Sequence, residues 1–366
     1  MLFKFAVTNY RGFANRIEWD LSSPANYEFN KSVIKDGIIK NGIIYGPNGS
    51  GKTNFSLALF DIVNHLSQKW KKPDYYLNFI YAGNRDDAVK FESTFKFDGK
   101  VLIEYDYSKN SDGVLLAESL YVGNKQIFER KDGVFRIDKK QFPMDDNVEK
   151  NLGNNANNVS IINFLLTTYP LDGDHYLIKL GKFVNSMLWF RSLDIREFMG
   201  LETGIYRLDE DIISHGKLKD FSDFLQSVSG QRFQLVAKDS KQILCEIDGS
   251  VVPFNMIAST GTQSLQLLYF WLNRMKDASF VFIDEFDAFY HFRLAFEVCK
   301  RLFNLDCQVF TSSHNTYLMT NDLLRPDCYF ILDKNKILPL SKCTEKELRE
   351  AHNIEKIYKA GAFYVE

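Results

Sequence analysis

Apolar and polar residues alternate at the start of the chain, in Phe3-Lys4-Phe5-Ala6-Val7 and again in Ile17-Glu18-Trp19-Asp20-Leu21, around the polar segment Asn9-Tyr10-Arg11-Gly12. This period of two predicts a strand pair. Gly37-Ile38-Ile39 and Gly42-Ile43-Ile44-Tyr45 are short apolar runs that enter a glycine-rich turn. Beyond the turn, Phe55, Leu57, Leu59, Ile62, Val63 and Leu66 recur at helical spacing and predict a helix over Asn54–Lys69. From Val89 to Ile137 the period returns to two, in Phe91–Phe97, Val101–Tyr107, Leu115–Val122, Gln126–Arg130 and Val134–Ile137. Asp98-Gly99, Asp112-Gly113, Gly123-Asn124 and Asp132-Gly133 separate these runs, and such pairs favour hairpin turns, so an antiparallel meander is expected.

Asn151–Asn158 is the expected linker, and longer apolar spacings from Ile161 to about Val228 predict helices. Phe233–Val236 and Ile243–Ile247 predict a hairpin around Asp239 and Ser240. The last third alternates: helix Thr262–Lys276, strand Phe280–Ile283, helix Arg293–Asn304, strand Gln308–Thr311, strand Cys328–Leu332. That alternation is the mark of an α/β fold. No internal repeat, low-complexity tract or long heptad run interrupts it.

Composition narrows the class. With 366 residues, 45% hydrophobic and 25% charged, the chain can bury a large core, and disordered and collagen-like architectures are excluded. The five cysteines form no C-x-x-C pair, which points to a reducing compartment and away from a zinc ribbon. A net charge of −2 offers no basic footprint for nucleic acid. Lys4, Asn9 and Arg11 interrupt what would be a signal core, and no run approaches the roughly 18 apolar residues of a membrane span, so a cytoplasmic protein is expected.

The turn before the first helix reads Gly46-Pro47-Asn48-Gly49-Ser50-Gly51-Lys52-Thr53, the G-x-x-x-x-G-K-[ST] pattern of a phosphate-binding P-loop. Glycines let backbone N–H groups curl into an anion nest at a helix start, the lysine reaches the β and γ phosphates, and the threonine hydroxyl ligates Mg²⁺. ATP contacts are thus expected from Gly46, Asn48, Gly49, Ser50, Gly51, Lys52, Thr53 and Asn54. Phe280-Val281-Phe282-Ile283 is a buried strand running into Asp284 and Glu285. Together with the P-loop this pair supplies a Mg²⁺ ligand, Asp284, and a base for the attacking water, Glu285. Ser259-Thr260-Gly261-Thr262 opens a helix, where it serves either as an N-cap or as a second anion site. His314 ends the next strand, in Thr311-Ser312-Ser313-His314-Asn315.

In order, GPNGSGKT, STGTQS, FVFIDEFD and FTSSHN resemble the ABC-type ATPase heads of the RecF, SMC and OLD kind. Asn9-Tyr10-Arg11-Gly12-Phe13 is similar to their N-terminal Asn-Phe-Arg-Ser segment, and the likeness extends to Tyr105, Glu118-Ser119-Leu120 and Leu324-Arg325-Pro326-Asp327. The chain most resembles compact AAA-class, ABC-fold ATPases of bacterial phage-defence systems such as PARIS and Septu. The resemblance implies an α/β P-loop NTPase of ABC-ATPase type with an antiparallel β-meander lobe and a helical insertion. It would form a single domain over 1–366, divided into a P-loop and meander lobe (1–148), a mostly helical insertion (149–228) that could bind a partner, and a half bearing the remaining motifs (229–366). It also implies a homo-oligomer, an ATP-sandwiched dimer or higher, in which Ser259 and Gly261 cap in trans the nucleotide held by the other copy's P-loop. His314 would contact the γ-phosphate, Asp287 would communicate across the dimer, and Arg11 would touch phosphate. The signature carries Ala258 where the family has Leu, and candidates for the family's Q-loop glutamine lie near Asn78 to Asn84.

Other signals have plainer explanations. Pro73-Asp74 with Asp98-Gly99-Lys100 spells a loose nuclease pattern, yet Asp98-Gly99 suits a hairpin turn. Asp172-Gly173-Asp174-His175 and Asp209-Glu210-Asp211 read as solvated loop or helix-start clusters, and Lys69, Trp70, Lys71 and Lys72 as a helix end or a phosphate-backbone contact. The stretch after His314 is too short for the nuclease domain of OLD proteins, and 151–228 too short for SMC arms. The expectation is a Mg²⁺- and ATP-dependent ATPase without its own effector, a sensor for phage infection that controls a separate toxin or nuclease. An ATP-stabilised scaffold with slow hydrolysis and a RecF-like head that clamps DNA are the alternatives.

Overall fold

A computed structural model describes residues 1–67, 78–85, 87–98, 101–154, 159–191, 198–201, 207–239, 241–333 and 335–365. Its frame is two seven-stranded sheets. The first is wholly antiparallel, in the order Val134–Ile137, Lys125–Lys131, Leu115–Val122, Val101–Lys109, Val89–Phe97, Leu2–Thr8, Ile17–Asp20. The second runs Phe198–Gly200, Met187–Arg191, Phe280–Asp284, Gln308–Ser312, Asn41–Tyr45, Tyr329–Asp333, Lys336–Pro339, with five parallel strands inside two antiparallel edges. Its inner strands Asn41–Tyr45, Phe280–Asp284 and Gln308–Ser312 are buried at every position. Continuous apolar runs of this kind belong to parallel strands covered on both faces.

The P-loop helix Lys52–Leu66 lies between the sheets, and aromatic side chains fill the layer around it. Trp19, fully buried, meets Phe55, Phe310 and Phe330 edge-on at centroid distances of 5.7, 4.5 and 5.4 Å. Edge-to-face geometry aligns the ring quadrupoles favourably. Gln308 ties the sheets by hydrogen bonds: its Oε1 accepts from Leu2 N–H at 2.7 Å, and its Nε2 donates to Leu2 O and Ile39 O at 3.0 and 3.2 Å. These bonds satisfy a buried amide and two strand ends at once.

Two buried polar clusters join the meander to its neighbours. Lys109 Nζ lies 2.7 Å from Asp61 Oδ2 of the P-loop helix, with side chains 3% and 0% exposed, and Tyr107 donates to the same oxygen at 2.8 Å. Burial pulls the Lys109 pKa down while Asp61 holds it up. Glu118 accepts from Tyr105 Oη, Ser160 Oγ and Ile161 N–H at 2.8, 2.8 and 3.0 Å and pairs with Arg130 at 2.9 Å. It thereby anchors the start of helix Ile161–Thr168, which Ser160 caps.

The expected strand pair, meander and α/β alternation are present, with helix ends shifted by a turn or less. The stretch 149–228 carries two short strands among its helices. Helices Ile161–Thr168, Tyr176–Asn185, Leu208–Ser214 and Leu218–Ser229 occupy it, but Met187–Arg191 enters the central sheet beside Phe280–Asp284. Met-Leu-Trp-Phe is a short uniform apolar run, and such a run has no periodicity to separate a strand from a buried helix turn. The expected linker also changes character: Asp146–Gly153 is a helix capped by Asp145, whose side chain accepts from Asn147 N–H, and 155–158 lie outside the described residues. The hairpin gains a third strand, Ser250–Pro253, while Ser240 lies outside the described residues. So do residues 69–74, 99 and 100, which carry the basic-aromatic cluster and most of the nuclease-like pattern.

Removing one member of a buried ion pair strands the other charge. Lys109→Met should therefore cost about 3–5 kcal/mol in urea unfolding, with at least half recovered in Asp61→Asn/Lys109→Met. Asp106 lies on the outward face of the meander, opposite Glu92 and Ser119. Burial, with Glu92 and Glu104 adding to it, pushes its pKa up to about 7 from the ordinary 3.8. A carboxyl raised in the folded state favours folding while protonated, and that contribution disappears as pH rises through about 7. Asp106→Asn should then raise the melting temperature by on the order of 2 °C at pH 8 and leave it unchanged near pH 4.

Candidate functional site

Strand Asn41–Tyr45 delivers the chain into the P-loop, and Lys52 begins the helix. Gly49 and Gly51 hold φ of 80° and 97°, left-handed values that glycine adopts without strain. Gly46 is required by contact: a Cβ there would lie 2.4 Å from Leu332 O. Phe13 packs its ring against Gly51, so the N-terminal segment forms a wall of the loop. Beside it Arg11, at φ 44°, donates from Nη1 to Asn54 Oδ1 at 3.2 Å.

The ends of three parallel strands converge on the loop. Asp284, fully buried, accepts from Thr53 Oγ1 at 2.8 Å and from Ser312 Oγ at 2.6 Å. Arg191 Nε donates to Asp284 Oδ2 at 3.2 Å from the neighbouring strand. Glu285 follows in the left-handed region, φ 51°, its N–H bonded to Ser312 Oγ at 2.8 Å and its side chain exposed. A positive φ at a glutamate is strained backbone held by its surroundings. Lys52 Nζ donates to Gly46 O and Pro47 O at 2.9 and 3.3 Å. Burial lowers its pKa against the pull of Asp284 and Glu285. His314 is lowered too, first by burial and then by Lys52, with the two carboxylates opposing.

Asp287 accepts from Ser313 Oγ at 2.7 Å, and burial raises its pKa. Ser259 caps helix Thr260–Arg274: its Oγ accepts from Thr262 N–H at 3.2 Å and lies 2.9 Å from Thr262 Oγ1. Gly261 meets the loop after Asp287 so closely that a Cβ would be 2.8 Å from Phe289 O. These residues open on a separate cavity of about 640 Å³, lined by Ser259, Thr260, Gly261, Phe289, His291 and Arg293 and by no P-loop residue. Lys52, Thr53, Asp284, Glu285 and His314 thus form one cluster, Arg11 and Asn54 flank it, and Ser259 and Gly261 face elsewhere.

Arg191, Ser312 and Ser313 join the site without a sequence motif that assigns them a role. The serines sit inside the quoted FTSSHN run, but the arginine's role depends on a strand with no signal of its own. Residues 78–84 contact the N-terminal segment instead of Asp284: Arg11 N–H donates to Phe79 O at 2.7 Å, and Asn9 Nδ2 donates to Asn84 O at 3.0 Å. The two acidic clusters engage neighbours. His175 caps helix Tyr176–Asn185, Asp209 accepts from Gln266, and Asp211 pairs with Arg274.

The donor set suits the ligands that the motifs imply. Thr53 Oγ1 and Asp284 Oδ2 are hard oxygens of the type Mg²⁺ prefers, and the buried Ser50 hydroxyl in the nest has no hydrogen-bond partner among the described residues.

A family model described as "AAA domain, putative AbiEii toxin, Type IV TA system" matches residues 43–320, a span holding the P-loop, Asp284-Glu285 and His314. The chain belongs to this AAA-domain family. No curated protein matches it. Among solved structures, an SMC head domain from Thermotoga maritima is 14% identical at a TM-score of 0.44, covering 92% of this chain and 98% of that one. An SMC head domain derived from Pyrococcus furiosus, with the C-terminal domain of ScpA bound, is 11% identical at 0.46, covering 93% and 97%. The recombination mediator RecF is 12% identical at 0.41, covering 93% and 98%. For this AAA-domain protein, Lys52→Ala removes the only lysine of the loop. Charge-assisted bonds of that kind are worth about 1.5–3 kcal/mol, so affinity for a fluorescent ATP analogue should fall roughly 10- to 100-fold in a binding titration.

Proposed function

We propose that this chain is a Mg²⁺-dependent ATPase that serves as the sensor or regulatory subunit of an anti-phage defence system and acts on a separate effector through ATP-dependent assembly. The observation carrying the ATPase reading is the 2.8 Å bond from Thr53 to Asp284 with Glu285 next in sequence. Mg²⁺ held by Thr53 and Asp284 would neutralise charge growing on the β- and γ-phosphate oxygens. The P-loop N–H groups and Lys52 bind the triphosphate, and Glu285 orients the attacking water and takes its proton. His314, kept neutral by burial and by Lys52, is a hydrogen-bonding partner for the γ-phosphate.

Ser259 and Gly261 face away from their own P-loop, which supports their use by a second copy. The helix start they form is an anion site once another subunit presents its nucleotide. Phe289 and Phe292, 44% and 39% exposed, and Met256, 80% exposed, flank them as apolar surface suited to burial between subunits. The family's description names a putative toxin of a type IV toxin–antitoxin system, which favours a role beside a cognate partner protein. The net charge of −2 gives no support to the DNA-clamp alternative.

Light scattering and phosphate release separate the switch from a passive scaffold. Glu285→Gln should lose about 10²–10⁴-fold in turnover while retaining ATP binding, and its mass should grow on addition of Mg-ATP at least as much as that of the wild type. Mass that ignores nucleotide in both proteins would contradict assembly through Ser259.

A further inference from the structure

The Asp284 carboxyl group has no exposed surface, and a carboxyl group so placed requires fixed partners. Its two oxygens are used differently. Oδ1 accepts from Ser312 at 2.6 Å, whereas Oδ2 receives both Thr53 Oγ1 at 2.8 Å and Arg191 Nε at 3.2 Å. Thr53 and Asp284 would hold a divalent cation, and the guanidinium faces the same carboxylate oxygen that Thr53 reaches. Arg191 is placed there by strand register: Met187–Arg191 runs parallel to Phe280–Asp284, and Arg191 pairs with Asp284 at the last rung. Four buried residues fix the strand, while the arginine side chain is 35% exposed.

We infer that Arg191 is a positioning residue that competes with Mg²⁺ for Asp284 and sets the Mg²⁺ concentration at which nucleotide binds. Two cations do not share one carboxylate oxygen without strong repulsion in a buried site, so metal loading displaces the guanidinium. The displaced group needs an anion, and the triphosphate in the adjoining nest supplies one. Metal entry is thereby made conditional on nucleotide, and the buried carboxylate is never left unpaired. Lys52 does not substitute for Arg191 in this, because its ammonium is bonded to the carbonyls of Gly46 and Pro47. This inference rests on the nucleotide-site reading above.

The test is a Mg²⁺ titration of fluorescent ATP-analogue binding to wild type, Arg191→Met and Arg191→Lys, with Mn²⁺ binding without nucleotide followed by electron paramagnetic resonance. Arg191→Met should shift the Mg²⁺ midpoint down about tenfold or more, the size expected for losing a charge-assisted bond, and should bind Mn²⁺ without nucleotide. Arg191→Lys, which keeps a cation, should stay near the wild type. Should Arg191→Met lack a native circular dichroism spectrum, Arg191→Gln provides the same neutral comparison. A midpoint unchanged or raised in the neutral variant, with wild type binding nucleotide in a Mg²⁺-dependent way, overturns the role of Arg191 alone. A wild type that binds no nucleotide at any Mg²⁺ concentration overturns the nucleotide-site reading, and this inference with it.

Discussion

The buried carboxylate of Asp284 is the constraint around which the central sheet is arranged. An ionised group without solvent is tolerated only where fixed donors replace its water. Here the donors come from the P-loop helix through Thr53, from the adjoining parallel strand through Ser312, and from the opposite neighbour through Arg191. Strand order therefore does more than close a sheet. It brings the ends of Met187–Arg191, Phe280–Asp284 and Gln308–Ser312 level with one another beside the P-loop, at the carboxyl edge where open α/β sheets bind ligands.

The antiparallel sheet supports this edge from behind. Trp19 fills the space between the layers, and Gln308 reaches from a central strand to the first strand of the chain. Asp61 ties the P-loop helix to Lys109 and Tyr107 of the meander, and Glu118 fixes the start of helix Ile161–Thr168 through Ser160 and Ile161. Each is a buried polar group satisfied by several partners, an arrangement that specifies one packing and penalises alternatives. The helix carrying Lys52 and Thr53 is thus held at both ends, by the loop and by the meander.

Much of the site was legible in the chain because its chemistry is local. The eight residues from Gly46 to Thr53 form one contiguous pattern, and Asp284-Glu285 follows a strand whose apolar run is unmistakable beside a P-loop. Asp132-Gly133 has positive φ at both residues, the conformation those residue types tolerate, so that turn of the meander is legible in the sequence. Met187–Arg191 was not legible. Five residues without periodicity, set among helices, become a strand only because a place beside Phe280–Asp284 accepts them.

The sequence by itself determined the P-loop pattern, the Asp284-Glu285 pair at a strand end and the alternation of elements, since each depends on residues within a few positions of one another. Tertiary structure alone decided which way Ser259 and Gly261 face and which side chain stands opposite Asp284. Those outcomes depend on strand order and register, and hydrogen bonding between strands brings Arg191 and Asp284 together across 93 positions of chain. No local pattern encodes a contact whose partners are chosen by packing of the whole core.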